Sequence, residues 1–341
     1  MSSEVTPWSA VVRFAFVFAA AVSVIALAFI WPSVTSQPQN IPVSIAGPAE
    51  QVGIVTDAID EKAEGRLVIS TVDSRDDAVA AIESRDSLGA IVLGHEPEVL
   101  VASAASPAVA QLLTGMAAQL QAIANAQAAA AGVESPAIVV KVTDVVPLAA
   151  TDERGSGIAA SAFPLVIAGF IGGLLIALLV RGARQRVVAV FAFAAVAATV
   201  LALILQSWLG ILQGSFGLNV LALSLLIASM TSLIVGMHST LGRPGLPVAI
   251  VTIMLIGNPI SAAAVPWQFL PAPWGLVGQW FQPGAGATLL RDLSYFPAAA
   301  SLGFAWAVLA VWALLGLALV ALGLRERRSA AAPAAEKVLA A

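Results

Sequence analysis

The sequence predicts an α-helical polytopic membrane protein with six transmembrane helices in a one-plus-five arrangement and an α/β domain inserted after the first. Three observations carry this. The 341-residue chain is 59% hydrophobic and only 11% charged, where an ordinary soluble protein is about 45–50% apolar and about 25% charged; its mean hydropathy is +0.93. Its apolar residues fall in runs of about 20, the length that crosses a hydrocarbon core. Its charges are sorted by segment: Pro32 to Gly155 holds 16 acidic and 6 basic residues, a net of −10, and the remainder holds 4 acidic and 10 basic, a net of +6. An average soluble enzyme and a disordered chain are both excluded. With no cysteine, disulfides, cysteine-ligated zinc and thiol catalysis are excluded as well.

The first span, within residues 1–33, is the uncharged run from Phe14 to Trp31 after Arg13. It reads as an uncleaved signal anchor. It is long for a cleaved peptide, and no A-x-A site follows in Pro32–Pro42. Residues 34–155 then read as one α/β unit. Strands are expected at Ile41–Ala46, Leu67–Val72, Leu88–Leu93, Glu98–Ala102 and Ile138–Val146. Helices are expected at Pro48–Glu64, from Ser74 to near Ser84, and from Pro107 to about Ala131. Ser74 is placed to cap its helix, with Asp76 and Asp77 opposing the dipole in the first turn. Gly155-Ser156-Gly157 reads as a hinge into the next span.

Residues 156–324 supply five more apolar segments: Ile158–Val180, Val187–Trp208, Leu218–Met237, one starting near Leu246 and broken at Asn258-Pro259, and Ser301–Leu324. Residues 325–341 form a tail. Positive residues mark the cytoplasmic side of a span. With both termini inside, that side carries Arg13, Arg181, Arg184, Arg186, Arg243, the arginines at 325–328 and Lys337. The short outer loops carry only Arg291, beside Asp292. The expected location is a bacterial plasma membrane, with residues 34–155 outside. Trp31, Trp208, Trp267, Trp274 and Trp280 then fall at the outer interface, where indole rings settle. The stretch from 259 to 297 is rich in proline, holds three tryptophans and is almost uncharged. It reads as a re-entrant hairpin, with Arg291 and Asp292 at its water edge.

No catalytic constellation stands out. The two histidines, His95 in a Gly-His-Glu-Pro turn and His238 at a span end, lie on opposite sides. His95 with Glu96 and Glu98 offers weak metal ligation at most, and a solvated turn is the simpler reading. No catalytic, cofactor or metal residue is assigned, no phosphate-binding glycine loop is present, and nucleic acid is not an expected partner. No ionisable residue sits mid-span, which argues against proton coupling. Gly169 and Gly173 form a small-residue face for helix packing. Ser224, Ser229, Thr231 and Ser232 lie on one span, where interhelical hydrogen bonding is the commoner role and pathway lining the other. Asn258 and Pro259 are a candidate gate or a simple kink.

Three stretches carry a resemblance. They are Asp76 to Glu83 with Leu88 to Leu93, Val99 to Leu113, and Gly257-Asn258-Pro259 through Gln282-Pro283-Gly284 to Leu289-Leu290-Arg291. Together with the one-plus-five architecture they resemble the ABC-2 type membrane subunits (permeases) of export systems, most closely the YhgE/Pip-like branch. The resemblance implies a homodimer or a pairing with a related subunit. It also implies a separate ABC ATPase contacted through Arg181, Arg184 and Arg186, and export of a hydrophobic or amphiphilic compound across the lipid bilayer. The alternative is a non-pumping protein of that branch whose ectodomain binds a partner, as a secretion accessory, a phage adsorption site or an envelope scaffold.

Overall fold

A computed structural model describes residues 6–63, 65–130 and 139–339. The chain opens with helix α1 (Trp8–Thr35). A small α/β unit follows: β1 (Ile41–Ala46), α2 (Ala49–Ala63), β2 (Leu67–Thr71), α3 (Arg75–Glu83), β3 (Gly89–Val92), β4 (Glu98–Val101), α4 (Pro107–Ala130) and β5 (Lys141–Asp144). The elements fall where the alternation of apolar runs and turn residues puts them. The expected endpoints Glu64, Ala131 and Ile138 lie outside the described residues.

The sheet order is β2-β1-β3-β4-β5. β1 pairs in parallel with β2 and β3, β3 is antiparallel to β4, and β4 is parallel to β5. The central strands are buried along their length, as strands covered on both faces must be. Ile41, Val43, Ile45, Ile91, Val99 and Leu100 are almost fully enclosed. Ser74 caps α3 as its sequence position suggests: the Asp77 N–H donates to Ser74 Oγ at 3.1 Å, and Ala78 and Ile82 turn inward.

The rest is helical. α5 (Gly157–Leu179) and α6 (Ala183–Ala202) precede a π-helical turn, Leu203–Trp208. Next come α7 (Phe216–Leu241), α8 (Gly245–Ile250) and a second π-helical stretch, Val251–Gly257. A short 3-10 turn at Trp267–Phe269, α9 (Trp274–Gly278) and α10 (Gln282–Tyr295) form a hairpin before α11 (Ser301–Leu339).

Five helices are long and apolar enough to cross a membrane: α1, α5, α6 with its π turn, α7, and α11 over Ser301–Gly323. This is compatible with a multi-pass membrane protein. The remaining expected span, the fifth along the chain, is the apolar helix Gly245–Gly257. At 1.5 Å per residue it is roughly 20 Å long, short of a core of about 30 Å.

α7 is the hub of the bundle. Over its most apolar stretch 72% of the residues are buried, against 39% in α5, 22% in α6 and none in α1. Glycines let its neighbours approach. A Cβ on Gly169 or Gly173 of α5 would lie 2.8 Å from the Cβ of Met230 or Ile234, so the small-residue face read in the sequence packs on α7. Gly236 meets the backbone of Gly316 on α11, and Gly316 meets Ser232.

Candidate functional site

The α/β unit and the helical unit meet through the hairpin, and the contact is a continuation of the α/β core. Phe269, Phe296 and Ala299 belong to the same buried apolar cluster as the sheet residues. Backbone bonds cross the joint, from Gln37 N–H to the Phe269 carbonyl at 2.9 Å and from Ala300 N–H to the Ser84 carbonyl at 3.2 Å. Gln39 Nε2 adds a donation to the Leu270 carbonyl at 2.8 Å.

At the centre of this joint is a buried charge pair. Arg85 follows the end of α3 with φ at +61°, a left-handed conformation that turns the chain toward α10. Its guanidinium donates to Asp292 Oδ1 and stacks over the Phe296 ring, 5.4 Å from the centroid. Asp292 is fully buried and accepts from Ser301 Oγ at its other oxygen. Arg291 is also buried and donates to the Ala263 carbonyl at 3.0 Å, bracing the hairpin. The water-edge placement expected of Arg291 and Asp292 is therefore incorrect. The local sequence holds only this adjacent pair, and the partner that lets Asp292 be buried lies about two hundred residues away.

The turn into α5 is pinned. Asp152 accepts from the Ser156 and Gly157 N–H groups at 3.1 and 2.8 Å, and Thr151 Oγ1 donates to the Gly210 carbonyl at 2.6 Å. Gly155 takes φ +63° there. The segment read as a hinge is a capped helix start.

The hydroxyls singled out on α7 sit in the bundle. Ser229 and Thr231 are fully buried. Ser229 Oγ donates to the Leu226 carbonyl at 2.7 Å, and Thr231 Oγ1 reaches the Gly169 carbonyl of α5 at 3.2 Å. Ser232 Oγ lies 3.3 Å from the Ala313 carbonyl of α11. Ser224 is half-buried on the same helix. Asn258 ends the second π-helical stretch, with its N–H on the Ile253 carbonyl, and Pro259 beside it is half-buried. Gln282 at the start of α10 is fully buried, and neither atom of its amide has a partner among the described residues.

Comparison with protein-family models, with curated proteins and with solved structures finds no match.

At the opposite end of the bundle, the Arg181–Arg186 triplet divides. Arg186 turns inward, donating to the carbonyls of Val180 and Ala177 at 2.9 and 3.0 Å and to Ser239 Oγ at 2.9 Å. Arg181 and Arg184 stay exposed.

The α/β unit has its own cavity of about 890 Å³ between α2 and α4, floored by Ile91 and Val99. His95 is exposed at its rim. Glu98 lines it, but its carboxylate is taken by Arg75 at 2.6 Å, by Lys141 at 3.5 Å and by the Thr143 hydroxyl. The Arg75 hydrogen bond, with help from Thr143 and Lys141, outweighs desolvation and lowers its pKa to about 2. Among the described residues no group of three His, Cys, Asp or Glu side chains is arranged to hold a metal.

Proposed function

We propose that the chain is the membrane-spanning, permease-like subunit of an ABC-2 type export system, with both termini cytoplasmic and the α/β unit outside. The observation that carries this reading is the joint. The α/β core continues into the proline-rich hairpin, and the buried Arg85–Asp292 pair fastens the two. The hairpin in turn leads directly into α11, which packs along the hub helix through Gly316. A movement of the bundle would thus be delivered to the exterior unit through one stiff connection. Five helices of spanning length and the absence of ionisable side chains from the middle of α5, α6 and α7 fit a pathway driven from outside the chain. The cargo class is a hydrophobic or amphiphilic compound, the partner a separate ATPase, and the working unit a pair of copies.

The test is paired. Affinity purification from native membranes should recover a nucleotide-binding protein in fixed ratio, and reconstituted vesicles should move an amphiphilic dye only with ATP. Native membranes that never yield such a protein sink the proposal.

One observation favours the second reading, a non-pumping protein whose ectodomain binds a partner. The turn offered to an ATPase between α5 and α6 is only three residues long, Val180 to Gly182, and Arg186 is already committed to the bundle. On that reading, deleting residues 41–146 abolishes function while the helices stay folded. Complementation by the truncated chain rules it out.

A further inference from the structure

At the end of the bundle away from the α/β unit, the turn between α5 and α6, the last turns of α7 and the flank of α11 enclose a cavity of about 540 Å³. Arg181, Arg186, His238 and Arg243 line it, and no acidic residue does among the described residues. Arg186 is anchored by its three hydrogen bonds, so it contributes a fixed charge at the wall. His238 Nδ1 lies 3.1 Å from the Gly242 carbonyl. Arg181 and Arg243 are exposed, and neither has an ion-pair partner among the described side chains. The one acid between residues 156 and 324 is Asp292, which is held by Arg85 at the far end.

The exposed guanidinium groups of Arg181 and Arg243 share one hollow and repel each other, and that arrangement is relieved by an anion between them. Guanidinium forks match the oxygens of a phosphate, and basic hollows between helices at a bilayer surface take phospholipid headgroups. The remaining wall, from Ala177, Val320 and Gly323, is small and aliphatic, suited to the start of an acyl chain.

We propose that this cavity binds a phosphate-bearing anion, with Arg181 and Arg243 as donors. The membrane source is the phosphodiester headgroup of an anionic phospholipid, and the soluble source is free phosphate. The site does not depend on the chain being an exporter.

Thermal unfolding of the full chain in detergent with phosphatidylcholine tests it. Dioleoylphosphatidylglycerol in place of part of the phosphatidylcholine should raise Tm by several degrees, as binding to the folded state alone requires. R181Q/R243Q should lose that rise while keeping at least the wild-type Tm in phosphatidylcholine alone, because both side chains are exposed and their repulsion is removed. R184Q, whose residue neighbours the cavity without lining it, should keep it. If the double variant does not fold, R243Q alone decides by the same comparison. A matching rise with inorganic phosphate at constant ionic strength supports the site and names the soluble source. The proposal is overturned if neither anion moves the wild-type Tm, or if R184Q loses as much of the rise as the cavity variants.

Discussion

Glu98 shows how one residue ties the edge of the α/β sheet together. It is nearly buried, yet it stays anionic because Arg75, Thr143 and Lys141 meet it from three directions. Its pKa is lowered from 4.5 to about 2, so the sign is that of a carboxylate preferred in the folded state. The stability it contributes is fully present above pH about 4.5 and is lost as pH falls toward about 2, amounting to about 3 kcal/mol. Glu98→Gln should flatten the acid limb of the unfolding curve over that interval and leave the neutral limb lower. An unchanged acid limb would remove Glu98 from the account. Arg85 and Asp292 pose the opposite problem, a charge pair inside the protein that is costly to half-dismantle. Arg85→Ala should cost about 3 kcal/mol by stranding Asp292, and Arg85→Ala with Asp292→Ala should cost clearly less than the two single changes added. A double-mutant cycle on detergent-solubilised protein measures the coupling, and simple additivity would show that the pair does not act as one.

At the scale of elements, glycine decides which helices touch. Gly316 faces the backbone of Ser232 and Leu233 with no room for a Cβ, as in small-residue seams between membrane helices. Gly316→Val should push α11 off α7 and lower stability by about 2 kcal/mol or more. Gly303, which has open space around it, should accept alanine with little change. Cysteine crosslinking between α7 and α11 reads out the displacement. The elements most legible in the sequence were those with strong local signals. The Ser74 cap, the Pro107 helix start and the long apolar runs all appear where local periodicity and capping place them. The helix Gly245–Gly257 was less legible, because an apolar start near Leu246 looks the same whether the helix runs 13 residues or 20. The strand order was not legible at all, since nothing local tells β1 that it lies between β2 and β3. Among the candidate residues, the polar character of Ser229, Thr231 and Arg186 could be read, while the carbonyls that Thr231 and Arg186 bond lie on or at the end of α5, outside their own helices. Arg291 and Asp292 misled for the same reason, since charge in an apolar hairpin suggests water until Arg85 is known to arrive.

At the scale of the whole molecule, the two halves of the charge distribution have different structural roles. The acidic α/β unit sends a single arginine into the helical half, and that arginine neutralises the only acid between residues 156 and 324. The basic end of the bundle gathers Arg181 and Arg243 at the mouth of a hollow that no acidic side chain lines among the described residues. Raising ionic strength should therefore affect the two ends unequally. The buried joint is hardly screened, whereas repulsion between the exposed arginines falls within a Debye length of about 8–10 Å. Wild-type protein should gain stability between low and moderate salt, and R181Q/R243Q should gain less. Unfolding in a neutral detergent across a chloride series checks this.

The central position of α7 has a consequence for how anything could cross. Among the described residues a helix occupies the axis of the bundle, and its buried hydroxyls are spent on carbonyls of its own turns or of neighbouring helices. α1, by contrast, stands at the periphery with its most apolar stretch bare, touching the rest of the chain near its C-terminal end, where Pro32 is buried and Trp31 meets Trp274. On the export reading proposed above, traffic would therefore run along a flank, on a surface shared with lipid or with another copy, rather than down the bundle axis.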